Sequence, residues 1–483
     1  MNIRQVVRLI AFIVLIIAGC MTLPLAVALF HEDARSAWAF GVTMGVGLGV
    51  CLPAIIGLRR EKRDFLSTRS SFLLVTGGWL AAALFGSLPF MLSGAIPAFT
   101  DALFETMSGL TTTGASILAN IESQPAAILF WRSFTHWLGG MGIVVLAVAI
   151  LPLLGVGGLQ LIQAEAPGPT VDKITPRIAE TAKIIWLIYL VFTILETGLL
   201  MGGGLDLFDA LTHTFATMAT GGFSTKNASV GHFDSAYVDG VVTVFMLLAG
   251  INFILHYRLL TGRFRDVIRN SELLVYLSIF TVATALITFS LNGGTYAELG
   301  TSFRHAAFQS AAILTTTGFA TADFEGWPAL AQGVLFLLMF IGGCSGSTGG
   351  GIKVIRIMIL FKQGIHEMKF LLHPRGIFTL KVNRQLIRKG IGYAVAGFFF
   401  LYMLTLGVVT LVMALAGQDL VTSVTCALTM VGNIGPGFGA IGPAENYAFL
   451  PGAVKLVLSL AMLAGRLELY TVLILFTPAF WRK

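Results

Sequence analysis

The chain has 483 residues, of which 56% are hydrophobic and only 11% charged, with 31 Lys and Arg against 24 Asp and Glu. Soluble domains carry about 25% charged residues, so together with a mean hydropathy of +0.85 this composition excludes a soluble globular fold, a disordered chain, a coiled coil and a secreted disulfide scaffold. The net charge of +7 does not point to nucleic acid, because the basic residues come in short clusters between apolar runs, as in cytoplasmic loops.

The first apolar run, Leu9 to Phe30, follows Arg4 and Arg8 and mimics a signal peptide, with Ile17-Ala18-Gly19-Cys20 imitating a lipoprotein cleavage box. It continues past Cys20, which marks a retained spanning helix. Further runs lie at Trp38 to Leu58, Phe72 to Ala95, Ala126 to Leu154, Ile184 to Gly202, Val238 to Leu255, Leu273 to Leu291, Ala329 to Gly343, Ile391 to Ala416 and Val454 to Phe476, ten candidate spans in all. The basic stretches Arg59 to Arg63, Lys173 to Lys183, Arg258 to Arg269, Lys353 to Lys389 and Arg482-Lys483 put those loops and both termini in the cytoplasm. Cys20, Cys51, Cys344 and Cys426 lack metal-ligand spacing and read as packing residues. Gly45-x-Gly47-x-Gly49 and Gly139-Gly140-x-Gly142 lie in apolar helices with no strand before them, so they read as small-residue packing.

The alternation of sides holds only if four more segments do not cross: Asp101 to Thr113, Phe208 to Gly221, Phe303 to Thr317 and Leu420 to Ile434. They are too short to span and predict re-entrant half-helices on the outer side. Each ends in a glycine turn: Thr112-Thr113-Gly114, Thr220-Gly221-Gly222, Thr316-Thr317-Gly318 and Asn433-Ile434-Gly435. Non-helical backbone at membrane depth must be buried in protein or line a water-filled path. The pattern therefore predicts an all-α integral membrane protein: four pseudo-fourfold repeats of helix, re-entrant pore half-helix with filter loop, and helix around one central pore. The boundaries are a two-helix extension over 1–70 and repeats over 71–160, 161–262, 263–385 and 386–483. Carbonyl rings can replace a cation's hydration shell, and half-helix C-termini favour a cation. Asp101, Asp206 and Asp419 suit the helix starts. Glu105, His213 and Gln309 are placed to brace the loops by hydrogen bonding, and His136 and Glu196 read as interhelical hydrogen-bonding residues.

Gly342-Gly343-Cys344-Ser345-Gly346-Ser347-Thr348-Gly349-Gly350-Gly351-Ile352-Lys353 interrupts the second span of the third repeat. Walker chemistry is excluded, because Val354 follows Lys353. The residues alone leave open a packed helix break or a mobile loop, with Lys353 and Arg356 snorkelling at its cytoplasmic end. Arg466 falls mid-span, where a lone charge costs at least about 2.5 kcal/mol, and reads as a pore-facing electrostatic barrier or one half of a buried pair. Glu468 is expected to face away from it. No catalytic triad, paired-carboxylate site or redox motif can be assembled, so no enzyme activity is expected.

The four loops, the Gly342 to Lys353 stretch and Gly465-Arg466-Leu467-Glu468 resemble the Trk/Ktr/HKT potassium transporters over essentially the whole chain, and the leading helix pair is similar to the Trk branch. The resemblance implies K⁺ as the transported, filter-bound ion with no organic cofactor, the Gly342 to Lys353 loop as a gate, and Arg466 beside the ion path. It also implies a homodimer in the bacterial inner membrane, bathed in lipid, with a cytosolic nucleotide-binding regulatory subunit and no nucleic acid partner. Gly114 stands where sodium-preferring plant members carry serine, which favours K⁺. Alternatives are the pore subunit of an ATP-driven potassium pump, which shares the four-loop plan, and an ion-coupled secondary transporter.

Overall fold

The computed structural model describes residues 2–58, 66–142, 178–376, 379, 381–383, 385–386 and 389–482. The basic cluster at Arg59 to Arg63, the second half of the Ala126 to Leu154 run and the 160/161 boundary lie outside the described residues. Six described helices are long and apolar enough to cross a membrane, or eight if each of two bent pairs is one span.

The first run is helical over Ile3–Cys20 and Thr22–Phe30, and Ala34–Gly57 returns beside it. Of the Gly45, Gly47 and Gly49 set only Gly47 packs closely: a Cβ there would lie 2.8 Å from the Phe85 ring, whereas the other two face open space. Repeat 1 opens with Thr68–Gly86, whose N-cap Ser67 bonds Ser70 N, so it starts ahead of the expected boundary at 71. Repeats 2, 3 and 4 open with Ile178–Gly202, Ser271–Leu291 and Lys389–Leu415. A two-residue hairpin, β1 (Lys381–Val382) and β2 (Gln385–Leu386), precedes the last of these.

The four short segments form the pore helices Phe99–Leu110, Leu207–Ala219, Leu299–Leu314 and Leu420–Gly432. Asp206 and Asp419 are N-caps, bonding Asp209 N (2.7 Å) and Thr422 N (3.0 Å). Asp101 instead sits inside the first turn and pairs with Lys455 at 2.8 Å. The largest apolar cluster joins the N-terminal pair to repeats 1 and 4 through residues such as Trp79, Phe104, Trp131, Tyr402 and Leu458. The extra pair therefore packs against the outside of the four repeats.

The expected second spans of repeats 2 and 4 are corrected, since each bends; that of repeat 3 breaks at the Gly-rich loop as expected, and that of repeat 1 is described only as far as Gly142. Ala126–Gly140 ends at a Gly-Gly-Met-Gly stretch. Ala236–Ala249 bends by 99° into Phe253–Leu260, Ala329–Leu338 gives way to the Gly-rich loop, and Gly452–Arg466 bends by 117° into Tyr470–Phe476. The cause is local: Gly139, Gly250 and Gly465 each meet another element at the break, and Gly342 meets Gly350 across its own loop. A Cβ on Gly139 or Gly465 would overlap the carbonyl of Leu110 or Val431, at the end of a pore helix.

Candidate functional site

Each pore helix ends in the same backbone sequence. Thr112, Thr220, Thr316 and Asn433 are left-handed, with φ of 54°, 55°, 60° and 54°, and two residues on Gly114, Gly222, Gly318 and Gly435 are left-handed again at 81°, 79°, 75° and 96°. β-Branched residues rarely adopt such angles, and clustered strain of this kind marks functional sites. The fourth loop carries Asn at the strained position, a residue that tolerates it better. The middle residues fold back: Thr113 N, Gly221 N, Thr317 N and Ile434 N donate to Ser108 O, Ala216 O, Ala312 O and Thr429 O at 2.8–2.9 Å.

The four turns meet in one closed ring. A Cβ added to Gly114 would overlap the Gly221 carbonyl, one on Gly222 the Thr317 carbonyl, and one on Gly318 the Ile434 carbonyl. The circle is completed by Gly435, where it would lie 2.6 Å from Thr113 O. All four glycines line a single vestibule, together with Lys226 and Glu445. The carbonyls of Thr112, Thr113, Thr220, Gly221, Thr316, Thr317, Asn433 and Ile434 are buried, yet among the described residues they accept no protein hydrogen bond. More than 90% of buried carbonyls in folded proteins are paired, so eight unpaired ones in one ring form a concentrated acceptor site.

The threonine hydroxyls are committed elsewhere. Thr113 Oγ1 and Thr317 Oγ1 bond Thr111 and Thr315 at 2.8 and 2.7 Å behind the ring. Asn433 Nδ2 donates to Thr113 Oγ1 (3.0 Å) and Met462 O (2.9 Å), while its Oδ1 is buried without a donor among the described residues.

The braces expected at Glu105, His213 and Gln309 are in contact with the loops. Glu105 accepts from Ser116 Oγ and Ile117 N at 2.9 Å and from Arg132 Nε at 2.6 Å, and Arg132 donates onward to Ser224 O of the next loop at 2.8 Å. Ser224 Oγ donates to His213 Nε2 at 2.8 Å. Gln309, with its amide oriented to satisfy both neighbours, donates to Phe319 O at 3.1 Å and accepts from Thr321 N at 3.3 Å. His136 links repeats 1 and 2, its Nδ1 donating to Gly109 O (2.7 Å) and its Nε2 accepting from Phe223 N (3.2 Å). Glu196 is buried, and among the described residues neither of its carboxylate oxygens is hydrogen-bonded. The Arg132 guanidinium is buried against Glu105 and stacked 3.6 Å over Phe223. Glu105→Ala is accordingly expected to cost about 3–5 kcal/mol by leaving that charge buried alone, read as a lowered unfolding temperature of the detergent-purified protein.

On the other side of the ring lies the Gly342 to Lys353 loop. Its floor touches the turns directly: Gly350 N donates to Thr316 Oγ1 at 2.6 Å, and a Cβ on Gly350 would lie 2.9 Å from Asn433 Cβ. It is tied to the break of repeat 2 by Cys344 N to Gly250 O (2.8 Å), Thr348 N to Ala249 O (3.3 Å) and Phe253 N to Gly346 O (3.1 Å). Glu272 of the first helix of repeat 3 clasps both ends, accepting from Ser345 N (2.7 Å) and Ile355 N (3.2 Å).

Arg466 is not in mid-helix. It closes Gly452–Arg466 at the break, and its guanidinium donates to Thr348 O (2.7 Å), Gly139 O (2.6 Å), Gly140 O (3.0 Å) and Thr112 Oγ1 (3.1 Å). One side chain thus joins the loop, the ring and the end of repeat 1. Glu468, in the left-handed turn that follows, pairs with Arg356. Lys353 and Arg356 are buried at 9% and 3% exposure, Lys353 donating to Gly349 O, so the snorkelling expectation is corrected.

The sequence did not single out Arg132, Glu272 or Tyr447. The Tyr447 hydroxyl donates to Gly435 O at 2.7 Å. For Arg132 and Glu272 the available signal was a charge on an apolar helix; for Tyr447 there was none.

A family model described as a cation transport protein, TrkH, matches residues 43–292 and 273–483. The chain is 42% identical to the Trk system potassium uptake protein TrkH of Halomonas elongata and 42% identical to that of Escherichia coli, each match covering 100% of both chains. The crystal structure of the potassium transporter TrkH from Vibrio parahaemolyticus superposes with a TM-score of 0.88 at 38% identity, again over 100% of both chains. These relatives are transporters, not enzymes. On full-length identity and on a family model spanning both halves of the sequence, the chain belongs to the TrkH family of cation transport proteins.

Proposed function

We propose that this protein takes up potassium across the bacterial inner membrane, with both termini cytoplasmic. Thr112, Thr113, Gly114, Thr220, Gly221, Gly222, Thr316, Thr317, Gly318, Asn433, Ile434 and Gly435 are the selectivity filter, and the Gly342 to Lys353 loop is the gate beneath it. The repeats take the boundaries 71–160, 161–262, 263–385 and 386–483, after the extension over 1–70. The observation that carries the reading is the closed ring of eight buried carbonyls with no protein donor, since a dehydrated cation is what such acceptors satisfy. The pore helices add the negative ends of four dipoles. The Gly350 to Thr316 bond and the Arg466 to Thr348 bond support a loop that obstructs the path until it is drawn aside.

In this reading the chain is a homodimer under a cytosolic nucleotide-binding subunit, which docks on the exposed bases Arg263, Arg265, Arg269, Lys369 and Arg375. Pulling on Val354–Leu372, which follows the loop, would strain the Glu272 clasp. Expressed in cells lacking potassium uptake systems, the chain is expected to restore growth at low K⁺ and to accumulate rubidium tracer that K⁺, but not Na⁺, displaces. Displacement by Na⁺ as readily as by K⁺ rejects the potassium assignment. Reversal potentials in proteoliposomes that follow pH as well as K⁺ would favour ion-coupled transport, and co-purification of a P-type ATPase the pump alternative.

A further inference from the structure

On the vestibule side each turn runs into a return segment, and each return segment is tied to the next repeat. Between repeats 1 and 2 Asn227 is the joint, its Oδ1 accepting from Ile121 N at 2.8 Å and its N donating to Glu122 Oε1 at 3.1 Å. Between repeats 2 and 3 Ala320 N donates to Ser229 Oγ (3.2 Å) and Gly231 N to Ala320 O (3.0 Å). Between repeats 4 and 1 Tyr447 N donates to Ser116 O at 2.8 Å. The joint between repeats 3 and 4 is a carboxylate seated among glycines: Gly439 N donates to Glu325 Oε1, and a Cβ on Gly442 would lie 2.8–3.0 Å from the Glu325 carboxyl atoms.

The segment held in this way, Gly435-Pro436-Gly437-Phe438-Gly439-Ala440-Ile441-Gly442, is half glycine; Thr422 and Thr425 tie it to its own pore helix, while Glu325 and the ring of Phe324 against Phe438 tie it to repeat 3. It begins at Gly435, in the loop that departs from Thr-Thr-Gly. We propose that Glu325 is a positioning residue for ion selection: it reaches from repeat 3 to fix the return segment of repeat 4 and, through it, the Gly435 wall of the filter. The inference rests on the filter reading above.

The charged groups facing Glu325 are Asp323 on its own turn and Glu445 on the return segment of repeat 4; among the described residues no cation pairs with it. Burial pushes its carboxyl above the usual range, the Gly439 N–H opposes that, and Asp323 and Glu445 add to the rise. A carboxyl that holds its proton more tightly when seated than when free in water is seated more firmly as pH falls. The joint is therefore tightest below the range where a free carboxyl titrates and loosens as pH rises through the seated group's raised range.

The test is paired rubidium and sodium tracer uptake into right-side-out vesicles across external pH from the ordinary carboxyl range upward. Wild type is expected to discriminate best at acid pH and to lose discrimination as pH rises. Glu325→Gln, which keeps an acceptor for Gly439 N and carries no charge, should match the acid-side wild type and stay flat with pH. Glu325→Ala should lose up to about tenfold in the rubidium over sodium ratio relative to the acid-side wild type, the scale of one neutral hydrogen bond, with no pH dependence. Gly442→Ala, which crowds the cradle, should lower the ratio in the same direction. A wild-type pH profile in Glu325→Gln, or an unchanged ratio in Glu325→Ala at normal membrane abundance, overturns the proposal and leaves the filter reading intact. A wild type that does not distinguish the two ions overturns both.

Discussion

Gly114→Ser is expected to lower the preference for rubidium over sodium uptake by about tenfold or more, a change of roughly 1.4 kcal/mol in relative ion stabilisation. Two costs meet at this position. Serine at a φ of 81° pays roughly 1–2 kcal/mol for the left-handed backbone, and its Cβ would overlap the carbonyl oxygen of Gly221. That oxygen is one of the eight acceptors in the ring, so the serine can be accommodated only by moving repeat 2 outward. A smaller, harder ion is held worse by a fixed ring than by a loosened one, so the expected loss is in discrimination more than in flux. Gly293→Ser separates the two costs: Gly293 has a similar φ of 77° but nothing within 4 Å of a Cβ. It should destabilise modestly and leave the ion ratio unchanged. Equal ratios in wild type and Gly114→Ser, at matched amounts in the membrane, would sink the assignment of Gly114 to the filter.

The four pore helices were legible because a short apolar segment followed by glycine is a local pattern, and chain position alone puts Gly114, Gly222, Gly318 and Gly435 in register. Their meeting in a ring followed from the rule that irregular backbone at membrane depth must line something. The breaks at Gly250 and Gly465 were not legible, since hydropathy over Val238 to Leu255 or Val454 to Phe476 averages composition and is blind to a change of direction. The mid-span position of Arg466 was misread for that reason: it lies at a 117° bend, where it reaches the second helix of repeat 1 and the loop of repeat 3 together. Glu468 was expected only to face away from Arg466; its pairing with Arg356 comes from the left-handed turn and was not legible from helical spacing. The commitment of the threonine hydroxyls to Thr111, Thr315 and Gly350 was not legible either, since no single-loop pattern encodes those contacts.

Arg466→Gln is expected to raise rubidium flux through the protein by about 10- to 100-fold where the regulatory subunit is absent. Its bond to the Thr348 carbonyl is charge-assisted and worth roughly 1.5–3 kcal/mol, and losing it shifts the balance between obstructed and open loop by that factor. An arginine at this depth costs at least about 2.5 kcal/mol if unpartnered; Gly139 O and Gly140 O partner it from repeat 1, and Thr348 O adds the one acceptor that is present only while the loop stays under the ring. A barrier role and a latch role separate in Arg466→Lys. A barrier needs only the charge, so lysine would leave flux at the wild-type level. A latch needs a planar fork spanning acceptors on two elements, which a single ammonium cannot do, so lysine should release the loop nearly as fully as glutamine. Glu272→Gln, which weakens the clasp on Ser345 N and Ile355 N from the opposite side, should add to either variant. Flux at the wild-type level in both Arg466 variants, in protein of normal abundance, would show that the guanidinium does not hold the gate.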